Sequence, residues 1–185
     1  METSLKNQFL VAMPSLNDPS FEATVTLICE HNADGAMGVV INKPLPLTFG
    51  DVLGELQLEA KSDDVAAQTV VSGGPVARDR GFVLHGFDGE FDSTLDLAPD
   101  LRLSFALDVV GSMAAQEAPG RALFGLGYAG WEGGQLETEI LSNAWLTTPC
   151  DSRIVFDLPF EARWRAAAEL IGVDLSRIAP NAGHD

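Results

Sequence analysis

The sequence TLICEHNADGAMGVVINKP, residues 26–44, contains two apolar segments separated by a short polar turn. Segments rich in Val, Ile and Thr favour β-strands, and Asp34-Gly35 is one of the residue pairs preferred in tight turns. The stretch therefore predicts a β-hairpin with strands over residues 24–31 and 35–43. Cys29 and His31 lie at the end of the first strand, where its apolar character stops.

The segments around this hairpin alternate irregularly between strand and helix patterns. Strands are predicted over residues 8–13, on both sides of the Gly73-Gly74-Pro75 turn, and over 121–130 and 152–157. Helices are predicted over residues 48–58, from about Asp108, and over 133–143 and 160–172. The pattern indicates an α+β fold, a single domain with a mixed, mostly antiparallel β-sheet and helices packed on it. A half-barrel is one form that such a sheet can take.

Length and charge limit the classes of protein to consider. A chain of 185 residues, 46% hydrophobic, is long enough for one substantial core and too short for two. With 27 acidic and 11 basic residues, the net charge of -16 opposes binding to nucleic acid and to anionic membranes. The densest basic group, Arg163 with Arg165, is predicted to lie on the solvated flank of the last helix. No apolar segment approaches the roughly 18–20 residues of a membrane span.

The N-terminal residues and the cysteines bear on the compartment. The first apolar segment is interrupted by Pro14 and lacks a small-residue cleavage pattern, which argues against a secretory signal. Cys29 and Cys150 are far apart in the sequence, as expected for reduced thiols in a cytoplasmic protein. A disulfide between the two cysteines stays open as an alternative.

The Cys29–His31 pair has three interpretations. Residues two apart in a strand point to the same face, so a protonated His31 could lower the pKa of Cys29 and create a reactive or redox-active thiolate. Alternatively, Cys29 is a buried apolar residue and His31 bonds the turn. Metal binding is the weakest interpretation, because one Cys-x-His pair would need distant ligands from Cys150, His85 or His184.

A second group of polar residues surrounds the Gly73-Gly74-Pro75 bend. Arg78, Arg80 and His85 follow this turn. A fixed bend at Gly74-Pro75 is enough to explain all three residues. Alternatively, Arg80 and His85 line a cleft for a small anionic ligand. The other residues assigned to that cleft are Asn32, Asn42, Gly73 and Gly74.

Motifs for other chemistry are incomplete. Glycines 125, 127 and 130 match the G-x-G-x-x-G spacing, but the next helix is predicted to begin only near Gly134 and no Walker lysine follows. Close packing of a strand explains these glycines better than nucleotide binding. A serine hydrolase has no G-x-S-x-G signature in this chain.

Several blocks together resemble the YqgE/AlgH family of bacterial proteins. They are QFLVAMPSLNDPSF, ICEHNADGAMGVVINKP, SGGPVARDRGFVLH, ALFGLGYAGWEGGQLETEI, NAWLTTP and the final AGHD. The resemblance spans nearly the whole chain and includes the 29–32 group and the Gly73-Gly74-Pro75 turn. It implies a compact cytosolic α+β domain without an established enzymatic activity, and a regulatory label linked to transcription.

The sequence thus predicts a non-enzymatic, cytoplasmic regulatory or small-ligand-binding protein without a cofactor or metal. Its expected partner is a protein of unknown identity or a small anion, and direct DNA contact is not expected. The alternative is a thiol-dependent enzyme or redox sensor that uses Cys29 with His31.

Overall fold

The computed structural model describes residues 4–87, 89, 91–117 and 120–178, so that His184 lies outside the described residues. Within them the chain forms ten strands and six α-helices. The strands are β1 (Gln8–Ala12), β2 (Val25–Asn32), β3 (Gly35–Val40), β4 (Pro44–Thr48), β5 (Thr69–Ser72), β6 (Val76–His85), β7 (Thr94–Ala98), β8 (Leu101–Ser104), β9 (Ala122–Glu132) and β10 (Trp145–Pro149). The helices are α1 (Phe49–Glu55), α2 (Asp63–Ala66), α3 (Leu107–Ala114), α4 (Gln135–Leu141), α5 (Ser152–Phe156) and α6 (Phe160–Glu169).

The strands form one open, mixed sheet, which confirms the α+β prediction. Its main order is β10-β1-β2-β3-β9-β6-β8-β7, and β4 and β5 pair beside this path. All pairs are antiparallel except β5 with β9. The long strand β9 pairs with β3 through residues 129–132 and with β5 through residues 125–126.

Helices cover both faces of this sheet, because alternate residues along its strands are apolar on both sides. One face runs from Phe9 in β1 to Leu103 in β8 and is covered by α5 and α6. On the other face, α4 covers the β1–β2 end through Leu136, and helices α1 to α3 cover β5, β6 and β9. The core is therefore three layers thick.

Local signals in the sequence are confirmed at the hairpin and at α1. Strands β2 and β3 pair from Thr26 with Val40 to Asn32 with Gly35. Helix α1 begins with a capping box in which the Asp51 amide donates to Thr48 Oγ1 and the Thr48 amide donates to Asp51 Oδ2.

Two expectations for the C-terminal region are wrong. The predicted strand over residues 152–157 is helix α5, which Asp151 caps by accepting a hydrogen bond from the Arg153 amide. Its β-branched residues Ile154 and Val155 favour a strand. Both pack in the same core cluster, however, and consecutive residues of a strand would point to opposite faces. Arg163 is buried on α6 with 4% of its surface exposed, and does not lie on a solvated flank.

Among the described residues, no helix is both long enough and apolar enough to cross a bilayer.

Candidate functional site

A β-bulge at the end of β2 separates Cys29 from His31. Ile28 pairs with Gly38 and Glu30 pairs with Met37, so Cys29 is an extra residue without a partner in β3. The extra residue reverses the alternation of faces. Cys29 packs in the cluster covered by α5 and α6, whereas His31 lies opposite Ala36, which packs on the α4 side. The expectation that both side chains share one face is therefore wrong.

Neither cysteine is placed to form a thiolate. Cys29 is fully buried and its Sγ lies 3.5 Å from the Leu27 carbonyl oxygen. Burial raises the pKa of the Cys29 thiol far above its ordinary value, and the Glu30 carboxylate raises it further. Burial also raises the pKa of Cys150, to about 12. Both are free thiols.

At the hairpin end, His31 Nδ1 and Asn32 Oδ1 accept hydrogen bonds from backbone amides, whereas the buried His31 Nε2 has no hydrogen-bond partner among the described residues. The Leu5 amide donates to His31 Nδ1 at 2.9 Å, and Nε2 lies 3.4 Å from Glu137 Oε1. Since Nδ1 accepts, the ring proton of a neutral His31 lies on Nε2. The Asp34 amide donates to Asn32 Oδ1 at 2.8 Å and fixes the turn. These contacts join the N-terminal segment, the hairpin and α4.

The other residues assigned to an anion cleft do not converge on one cavity. Asn42 accepts from the Val25 amide at 2.8 Å and donates to the Ala23 carbonyl at 2.9 Å. The guanidinium of Arg80 lies over the ring of Phe105, 4.3 Å from its centre. Among the described residues that were predicted to line the anion cleft, only Gly74 lines the crevice between β3 and β5.

His85 lies inside the sheet, 0% exposed. Its Nδ1 is 3.1 Å from the Phe87 carbonyl, which can only accept, and its Nε2 is 2.9 Å from Ser104 Oγ. Burial lowers the pKa of His85, and the positive charge of Arg102 acts in the same direction. Ser104 is also fully buried, so this serine–histidine pair offers no access to a substrate.

A crevice opens where β3 and β5 separate beside β9. The Val40 amide donates to the Gly73 carbonyl, and the Gly73 amide donates to the Leu126 carbonyl, both at 2.8 Å. These bonds fix the ends of the three strands around a cavity of about 470 Å³. A side chain on Gly74, where φ is +151°, would overlap the carbonyl group of Tyr128. The glycine thus permits the close approach of the bend to β9.

Two cations line this crevice. Lys43 follows β3, and its Nζ donates to the Pro19 carbonyl at 3.0 Å. Arg78 lies in a wide bulge of β6, where four residues stand opposite one residue of β9. The hydroxyl residues Ser20 and Ser72 complete the polar lining, and no acidic residue is among the described lining residues.

Lys43 and Ser20 line the crevice but were not among the site residues predicted from the sequence. Arg78 lies in the SGGPVARDR block, which gave a usable signal. The sequence around Lys43 gave no such signal, because Lys43 and Arg78 line the same cavity only through the pairing of strands that are distant in the chain. In the described part of the chain, no cluster of three or more His, Cys, Asp or Glu side chains could hold a metal ion.

The fold and the crevice define an α+β protein with a small basic cavity at a strand divergence. The chain belongs to the AlgH-like family, whose model matches residues 9–176. It is 51% identical to a UPF0301 protein of Thioalkalivibrio sulfidiphilus over 183 residues, covering 98% of this chain and 97% of that protein. A UPF0301 protein of Saccharophagus degradans is 49% identical over 181 residues, with 98% and 89% covered.

Solved structures agree with this assignment. The solution structure of AlgH from Pseudomonas aeruginosa is 48% identical, has a TM-score of 0.78, and is matched over 100% of this chain and 98% of that chain. The crystal structure of protein DIP2367 from Corynebacterium diphtheriae has a TM-score of 0.73 at 22% identity, covering 97% of this chain and 93% of that chain. The second match shows the shared fold alone.

Proposed function

We propose that this protein binds a small anionic ligand in the crevice and acts as a non-enzymatic regulatory protein in the cytoplasm. The observation that carries the proposal is the charge of the lining. Lys43 and Arg78 both line a cavity that has no acidic residue among its described lining residues, in a chain of net charge -16. An anion is the ligand that this local excess of positive charge favours.

The residues around Lys43 and Arg78 support ligand binding without catalysis. Ser20 and Ser72 offer hydroxyl donors, and the described lining residues include no histidine or cysteine to act as base or nucleophile. The crevice is formed by the segment before β2, the segment between β3 and β4, and the β5–β6 bend. A bound anion would therefore connect three segments, which is a direct way for a ligand to alter a surface that a partner recognises.

The regulatory effect is proposed to act through a partner protein. The net charge of -16 repels a phosphate backbone, so any influence on transcription would be indirect. Direct binding of labelled promoter DNA that weakens steeply with salt would contradict this part of the proposal.

Titration calorimetry with inorganic phosphate and with succinate tests the crevice. Replacing both Lys43 and Arg78 with Met should weaken binding by roughly tenfold or more, because charge-assisted hydrogen bonds are lost. Lys61→Met is the matched control, since Lys61 is exposed and pairs with Glu117 away from the crevice. An affinity of the double variant equal to that of the wild-type protein would refute the proposed site.

A further inference from the structure

Arg163 is a buried cation outside the crevice. It lies on α6 with 4% of its surface exposed. Its Nε donates to the Leu158 carbonyl at 3.1 Å and its Nη1 donates to the Ile41 carbonyl at 2.6 Å. The ring of Phe160 covers one face of the guanidinium at 4.4 Å. These contacts hold the group in one orientation.

Arg163 has no acidic partner of its own. Within the described residues no carboxylate forms an ion pair with it, and the nearby Asp157 pairs instead with Arg121. Burial lowers the pKa of Arg163 to about 10, so the group stays charged at neutral pH. A buried charge is normally paired, because removing it from water is costly. The negative charge of Asp157 favours the charged form of Arg163, but no described carboxylate forms an ion pair with it, so the burial of this guanidinium needs an explanation.

Arg163 lines a cavity and keeps one nitrogen without a hydrogen bond to the described residues. Its Nη2 makes no hydrogen bond to the residues that the structure describes, whereas Nε and Nη1 each make one. Arg163 lines a cavity of about 480 Å³ between β9, α5 and α6, the Arg163 cavity. Arg121 lines the same cavity, but its charge is shared with Asp100 and Asp157. Asp157 lines the cavity as well, so that two arginines and one carboxylate are among its described lining residues.

We propose that the Arg163 cavity is a second binding site, in which Nη2 of Arg163 binds the carboxylate or phosphate group of a small molecule. The planar fork of a guanidinium matches the oxygen atoms of both groups, and with Phe160 over one face the anion approaches along the edge of the group. Apart from the charged residues, the lining includes the polar residues Gln68 and Thr69 and the apolar residues Leu123 and Val155. A ligand with an acidic group on a small apolar body fits this lining.

The proposal can be tested by following the Nε–Hε resonance of each arginine by NMR during titration with inorganic phosphate or with acetate. The Arg163 resonance should shift and saturate with one of the two anions, which identifies the preferred group. Arg153 is the internal control, because its exposed side chain is already paired with Asp151. A merely structural Arg163 would show no saturable shift with either anion, and that result would overturn the proposal.

A variant that leaves the contacts of Arg163 intact makes the test independent of folding. Gly120 lines the same cavity, and a Cβ added there would meet no atom within 4 Å. Gly120→Leu should therefore fill part of the cavity and reduce the affinity measured at Arg163 at least several-fold. Gly54→Leu, at an equally open glycine on α1, should leave it unchanged.

The two binding sites can be separated in the same experiment. The Lys43→Met/Arg78→Met variant should keep the saturable shift of Arg163, and Gly120→Leu should keep the calorimetric binding that depends on the crevice. Wild-type affinity at Arg163 in the Gly120→Leu variant would contradict the proposed position of the anion.

Discussion

The hairpin end, residues 29–35, and the crevice at the β3–β5 divergence use their polar groups in opposite ways. At the hairpin end, His31 and Asn32 bond to backbone amides, and Cys29 is fully buried. At the crevice the backbone is equally well bonded, but the side chains of Lys43, which also donates to the Pro19 carbonyl, and of Arg78 line open space. A concentration of chemically interesting residue types therefore does not by itself place polar side chains beside a cavity.

The comparison also predicts two kinds of mutational effect. Substitutions at the hairpin end should lower stability and leave anion binding unchanged. Charge-removing substitutions at the crevice should weaken anion binding and leave stability unchanged. The backbone of the crevice is the exception, because it must be fixed for the cations to converge.

The largest expected effect on stability comes from Gly74→Ala in the crevice backbone. The added methyl group overlaps the Tyr128 carbonyl at a backbone conformation that favours glycine, so we expect a loss of about 3 kcal/mol in the free energy of unfolding. Urea denaturation measures the change. Gly111→Ala on α3 is the matched control, where nothing lies within 4 Å and Ala should stabilise the helix by about 0.5–1 kcal/mol. Equal stability of the two variants would show that the bend is not fixed.

An intermediate effect is expected for Cys29→Ser at the hairpin end. Placing a hydroxyl in the apolar cluster should cost about 1–3 kcal/mol, because the group loses its bonds to water. Binding of phosphate should stay at the wild-type level. The thiol of Cys29 should also resist alkylation by iodoacetamide at pH 8 while the protein is folded, since burial raises its pKa. Rapid alkylation at pH 7 would instead favour the redox-active interpretation.

The smallest effect is expected for the single substitutions Lys43→Met and Arg78→Met. Arg78 is exposed and Lys43 makes one exposed hydrogen bond, so thermal unfolding should show a change within about 0.5 kcal/mol for each. Asn32→Ala is the counterpart at the hairpin end and should cost about 1 kcal/mol, because the Asp34 amide loses its acceptor. A larger loss at Lys43 than at Asn32 would remove the contrast between the two regions.

Local patterns in the sequence predicted the elements that local interactions specify. The Asp34-Gly35 turn, which is present as expected, and the capping box of Thr48 with Asp51 both lie within a few residues of the atoms they bond. Strands β4, β7, β8 and β10 are not predicted from the sequence. The prolines Pro44 and Pro149 obscure the pattern of β4 and β10. Helix α5 is predicted as a strand because a buried β-branched pair, Ile154 and Val155, fits the strand pattern as well as the helix pattern in so short a segment.

The candidate sites were harder to predict because they depend on distant parts of the chain. The bulge at Cys29 arises from the pairing of β2 with β3 and is not encoded by a local motif. Arg163 bonds Ile41, a residue 122 positions earlier, so its burial follows from where α6 packs on the sheet. Charge alone had suggested an exposed position for this arginine.

The sequence by itself determined the α+β class, the family, the first hairpin and the acidic character of the protein, because composition, turn propensity and short-range periodicity are properties of neighbouring residues. Only the tertiary structure decided which face Cys29 and His31 occupy and which cations meet at a cavity. Those outcomes depend on strand register and on packing between segments that are far apart in the chain, and a shift of one residue in register exchanges the two faces of a strand.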